Sequence, residues 1–145
     1  MGIDKIDHYS IRTMDLEASM RFYTDVMNFR VGFRPPFDFP GLWLYPDDQQ
    51  SGFGVVHLIG VDENAKESLI DYLGEREGAG QKGTGSFDHI AFAASDWPAM
   101  RARCELHEVS FVERTVPSLG LHQVFLTDPS GLTIELNYPA AEGGR

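Results

Sequence analysis

A single cysteine, Cys104, among 145 residues rules out an intramolecular disulfide and any zinc cluster built on several thiolates. Long apolar runs are missing as well: none approaches the roughly 20 residues of a membrane span. Met1 to Asp15 alternates charged and apolar side chains and lacks the hydrophobic stretch of an export signal. The expected compartment is therefore the cytosol, with no membrane partner. Basic residues are scarce, 12 Lys and Arg against 22 Asp and Glu, for a formal net charge of -10. Nucleic-acid binding rests on clustered cations that release phosphate counterions, so nucleic acid is not an expected partner.

The remaining composition, 42% apolar and 23% charged, is that of a folded globular chain, and its length suits one domain without covalent staples. Internal similarity organises it. A shift of 81 residues lays Asp7 and His8 on Asp88 and His89, Asp15 on Asp96, and Ala18 on Ala99. In each half an Asp-His pair opens an alternating strand, and an Asp follows where a helix N-cap belongs.

The first half, about residues 4–61, reads as a strand over 6–13 and a helix capped by Asp15 with Leu16, Met20, Tyr23 and Met27 along one stripe. Strands over 31–33, 41–45 and 53–60 follow, parted by proline-containing turns. The second half, about residues 86–139, repeats the order: a strand over 87–94, a helix capped by Asp96 with Pro98 in its first turn, then strands over 109–112, 121–127 and 132–138. Between them 62–85 reads as a polar linker with a helix over 63–73, and 140–145 as a frayed tail. The fold class is α+β, two βαβββ modules in one domain, because a twofold repeat is too short for a stacking array.

Four polar residues interrupt strands that otherwise read as core. With a period of two, His57 shares a face with Phe53, Val55 and Ile59, and Glu135 shares one with Thr133 and Asn137. His8 lies with Ser10 and Arg12, and His89 with Phe87, Ala91 and Ala93. Burying an ionised carboxylate costs several kcal/mol unless a cation or donor compensates it. Each half supplies two such residues, one on its first strand and one on its last, 49 residues apart for His8 and His57 and 46 apart for His89 and Glu135. The expectation is that all four converge on one divalent transition metal. Three imidazoles and a carboxylate suit zinc first, then iron, nickel, cobalt or manganese, and suit magnesium or calcium poorly. His57 is read either as a ligand or as an acid or base beside the metal. His122 lines the cleft or the opposite surface, according to the parity of its strand. Phe37, Phe39, Trp43 and Tyr45 wall a pocket or fill the core.

The run from His8 to Leu16, followed by Phe22-Tyr23 and Asn28-Phe29, resembles the opening module of vicinal-oxygen-chelate proteins, the superfamily of glyoxalases, bleomycin-resistance proteins and extradiol dioxygenases. Phe125 to Gly131 running into Ile134-Glu135-Leu136 resembles their closing signature. The resemblance spans 6–138. It implies a U-shaped mixed sheet around the metal, a homodimer, and a small-molecule substrate whose neighbouring oxygens chelate the metal while an enediolate forms, as in a lyase or isomerase. Glu135 or His57 would be the catalytic base. Arg12 matches an arginine that binds glutathione in some glyoxalase I sequences, and reads equally as a general carboxylate clamp or a structural arginine. Glyoxalase I carries a carboxylate at the position of His57, and the related epimerases a glutamine. The resemblance leaves two alternatives: Fe(II) extradiol ring cleavage on His8, His89 and Glu135, and non-catalytic antibiotic binding.

Overall fold

The computed structural model describes residues 6, 8–46, 54–61 and 89–144. The first half contains β1 (Tyr9–Thr13), α1 (Leu16–Arg21) widening into a π turn (Phe22–Val26), β2 (Arg30–Gly32), β3 (Gly41–Tyr45) and β4 (Val56–Gly60). The second contains β5 (His89–Ala93), α2 (Trp97–Leu106), β6 (Val112–Val116), β7 (Leu121–Thr127) and β8 (Thr133–Pro139), with short 3-10 turns at Pro117–Leu119 and Ala140–Gly144. Each half forms a four-stranded mixed sheet, ordered β1-β4-β3-β2 and β5-β8-β7-β6. The last strand of each module returns parallel to the first, and the others pair antiparallel. The two βαβββ modules anticipated from the sequence are thus present, as two separate ladders. The expected linker, with its helix over 63–73, lies outside the described residues.

Local chemistry explains the helix starts. The Asp15 carboxylate accepts from the Ala18 amide at 2.9 Å, a cap that contributes about 1 kcal/mol. Beneath it the buried Ser19 hydroxyl donates to Thr13 Oγ1 at 2.9 Å, so two polar groups at the strand-to-helix corner satisfy each other. Asp96 repeats the cap on Ala99 from a left-handed backbone, φ 64, with Pro98 in the first turn.

One core serves both modules. Ile11, Leu44, Val56 and Leu58 from the first sheet and Val124, Ile134, Leu136 and Tyr138 from the second belong to a single buried cluster, together with Phe22, Tyr23 and Val26 of the π turn. From α2 come Trp97, Met100 and Cys104, whose thiol is fully buried and carries a pKa pushed upward by that burial. The edge strands β1 and β5 approach each other, the Tyr9 and Phe92 rings 6.1 Å apart. Polar ties cross the joint. Tyr9 Oη donates to Tyr23 Oη at 3.3 Å, and Tyr23 Oη donates to Asp128 Oδ2 at 3.0 Å. Arg103 Nε donates to the Val26 carbonyl at 2.9 Å, and Ser130 Oγ to the Arg12 carbonyl at 3.1 Å.

Two sequence expectations need correction. The strand expected over 109–112 forms instead at Val112–Val116, because Val109 and Phe111 are used as a plug against the core after α2. What remains for the strand is polar and exposed, as suits an outer strand. The tail expected to fray forms a 3-10 turn over Ala140–Gly144. There Glu142 Oε2 accepts from the Trp97 amide at 2.7 Å, and Gly143 lies so close to the His122 ring that any β-carbon would collide with it.

Candidate functional site

Because the residues of one parity fill the shared core, the other parity of each sheet faces away from it, and there the singled-out polar residues lie. In the first sheet Trp43 pairs with His57 across β3 and β4, and Ser10 pairs with His57 across β1 and β4. His57 therefore sits between two neighbours on its own face. Its ring stacks on Trp43, centroids 4.0 Å apart and 5° from parallel, and on His8, 3.9 Å apart and 14° from parallel. Both imidazole faces are covered, which leaves the ring edge as the route to a ligand. Arg12 lies further along the same face of β1. A shallow recess beside His57 is lined by Ser10, Arg34, Phe37, Phe39 and Trp43. Arg34 rests 5.0 Å from the Phe37 and Phe39 ring centres, so those aromatics brace a cation, while Tyr45 is buried with its hydroxyl donating to the Phe33 carbonyl at 2.8 Å.

In the second sheet His89 Nε2 lies 3.1 Å from Glu135 Oε2. The other carboxylate oxygen, Oε1, accepts from Gln123 Nε2 at 2.7 Å. Gln123 also donates to Asn137 Oδ1 at 3.0 Å, and its own Oε1 accepts from Arg114 Nε at 2.7 Å. The arginine fixes which end of the amide carries oxygen, so its nitrogen must point to Glu135. Glu135 is only 8% exposed and Gln123 6%, so the carboxylate is compensated by donors on both sides.

Sequence reasoning joined all four residues at one ion. The structure brings them together as two pairs, His8 with His57 and His89 with Glu135, and among the described residues no group of three or more His, Cys, Asp or Glu is placed to hold a metal. The fit of each pair differs. Two donors on one ion with bonds of about 2.1 Å stand about 3 to 3.4 Å apart, so the 3.1 Å between His89 Nε2 and Glu135 Oε2 is compatible in distance with adjacent positions on one ion. Nearly parallel stacked imidazoles cannot aim in-plane lone pairs at a common point nearby, so His8 and His57 share an ion only after one ring turns.

His122 lies on the opposite face, among Trp97, Tyr138 and the C-terminal turn. Its Nδ1 shares a 2.9 Å hydrogen bond with Thr115 Oγ1. Its Nε2 is 3.4 Å from Glu113 Oε1 but makes no well-formed hydrogen bond. This contact is electrostatic proximity only, and His122 is a packing residue away from the face of Glu135. Sequence reasoning missed Arg114 and Gln123. Their signal was available, since Gln123 and Asn137 share the parity that Glu135 sets, but the register that aligns them spans three strands and is not written in any one of them.

The fold agrees with comparisons to known proteins. The family model of the Glyoxalase/Bleomycin resistance protein/Dioxygenase superfamily matches residues 5–136. The chain belongs to this superfamily. It is 24% identical to Glyoxylase I 4 of Arabidopsis thaliana over 140 residues, covering 94% of this chain and 71% of the plant protein. It is 27% identical over 150 residues to lactoylglutathione lyase of Schizosaccharomyces pombe, covering 94% of this chain and 48%, about half, of the yeast enzyme. Among solved structures it resembles lactoylglutathione lyase from Agrobacterium tumefaciens, with a TM-score of 0.59, 19% identity and 99% of both chains covered. It also resembles an antibiotic binding protein from Streptomyces sp., with a TM-score of 0.61, 20% identity and 96% and 98% covered. Superfamily membership suggests small-molecule binding, and among the described residues no helix is long and apolar enough to cross a membrane.

Proposed function

We propose that this superfamily member is a divalent-metal-dependent enzyme of the lyase or isomerase type, acting on a small substrate with two neighbouring oxygens. The observation that carries this reading is the His89–Glu135 pair, 3.1 Å apart and held in place from behind by Gln123. His89, Glu135, His57 and His8 would hold the ion, with zinc first among those that suit the donor set and iron, nickel, cobalt and manganese next. The ion would supply Lewis-acid stabilisation of negative charge developing on the substrate oxygens.

The chain's own part is proton handling and orientation. Glu135 Oε1 accepts from Gln123, so Oε2, the oxygen facing His89, is the one that would take a proton from the carbon beside a substrate carbonyl, and it could do so only after giving up its place on the ion. His57, stacked between Trp43 and His8, is the second candidate for that proton. Arg12, on the same face of β1 as His8, would bind a substrate carboxylate on the first sheet. The separation of the ligands into pairs supports a homodimer in which the His8–His57 pair of one copy meets the His89–Glu135 pair of another.

The test is solvent deuterium exchange into 2-oxo acids and thiohemiacetals by metal-free and metal-reconstituted protein, followed by NMR. Metal-dependent exchange without oxygen consumption is expected. Oxygen uptake with catechols, seen only with iron, replaces this reading with ring cleavage. Metal-independent ligand binding with no turnover replaces it with sequestration.

A further inference from the structure

Arg114 lies on β6, two strands from Glu135 but on the same face of the sheet, through the register Arg114–Gln123–Asn137. Its Nε is committed to Gln123 at 2.7 Å, and its guanidinium carbon lies over the Phe125 ring, 5.4 Å from the centre. The side chain is exposed, and its Nη1 and Nη2 have no hydrogen-bond partner among the described residues. A long arginine normally loses much side-chain entropy on engaging a ligand. Here two contacts already hold the guanidinium plane, and the two terminal nitrogens form the flat edge that matches a carboxylate. The three linked groups keep this edge within about 8 to 10 Å of Glu135, given hydrogen bonds of ordinary length. A chain of net charge -10 repels anions at long range, so an anionic substrate needs a local cation on this face.

We propose that Arg114 is the anion-recognising side chain of the His89–Glu135 site, selecting substrates that carry a carboxylate a few bonds beyond the chelating oxygens. This rests on the metal-site reading above and adds the class of substrate. Gln123 is a positioning residue. One of its ends fixes the carboxylate of Glu135 and the other fixes the guanidinium, so recognition and proton transfer are set on one rigid amide.

The experiment compares two probes that share a 2-oxo carboxylate and differ only at the far end: 2-oxoglutarate, with a distal carboxylate, and 2-oxopentanoate, without one. Each is titrated by calorimetry into zinc-loaded protein. The wild type is expected to prefer 2-oxoglutarate by about tenfold or more, as a charged bidentate hydrogen bond provides. The preference falls below about twofold in Arg114→Met and is partly kept in Arg114→Lys. Because both probes chelate alike, the ratio is insensitive to changes at the metal itself. A wild type that binds both acids equally, or a preference unchanged in Arg114→Met, overturns the role of Arg114 and leaves the metal reading standing. A wild type that takes up no zinc overturns the metal reading and this inference with it, and a zinc-loaded protein that binds neither acid overturns this inference while the zinc site stands. Arg114 is exposed, so neither variant threatens the fold.

Discussion

Replacing Glu135 or His89 by alanine is expected to weaken zinc binding by more than about 100-fold, since loss of an outer partner alone removes 10- to 100-fold. Competition with a chromophoric chelator would read this directly. Folding should suffer little, because His89 is exposed and Glu135 faces away from the shared core. Retention of full zinc affinity in both variants would remove the proposed centre. Complementation tests how the pairs combine. A double variant lacking His8 and His57 and another lacking His89 and Glu135 should each bind no zinc alone. Mixed and reassembled, they should regain one site per mixed dimer if each site draws a pair from each copy. No recovery on mixing, with a dimer verified by mass, assigns all four groups to a single chain.

Asp128→Ala is expected to destabilise the protein by about 3 kcal/mol or more, the scale of several buried donors losing one charged acceptor. Asp128 is 3% exposed, and its Oδ1 accepts from the Ser130 and Leu132 amides at 2.9 and 2.8 Å while Oδ2 accepts from Tyr23. Asn at this position can keep both amide bonds and reverse the hydroxyl chain toward Tyr9, so Asp128→Asn should cost far less. Chemical denaturation of the three proteins ranks them. The same residue sets a pH dependence. Burial raises the Asp128 pKa, and the donors from Leu132, Tyr23 and Ser130 offset only part of that rise. The folded state then holds more protons than the unfolded one between the ordinary value, 3.8, and the raised one, so this group's contribution falls as pH climbs through that window and is greatest below it. Asp128→Asn should lack that slope. A slope of equal size in the variant would assign it to other carboxylates.

Much of the fold was legible because it is written in short-range pattern. Period-two strands placed His89 and Glu135 on the correct parity and His57 with Ile59, whereas Val55, expected beside His57, packs against the shared core from a bend that precedes β4. Asp15 and Asp96 announced both helix starts through chemistry confined to four residues. β6 was misplaced because Val109 and Phe111 carry the apolar signal of a strand while serving as a plug, and the true strand, Val-Glu-Arg-Thr-Val, is polar. The site was legible in its residue types and not in its connections. Stacking of Trp43 on His57 and the path from Arg114 through Gln123 to Glu135 depend on cross-strand register, a long-range quantity. Convergence on one ion was likewise inferred from matched spacing, and spacing identifies equivalent positions in two modules without saying how far apart those modules hold them.

Cys104, sealed in the layer where both modules meet, gives the molecule a built-in reporter. A thiol-specific reagent reaches that sulfur only when α2 lifts away. The pace of modification in native buffer thus measures how often the joint between the modules opens, and a second copy or a bound ion that tightens the joint would slow it.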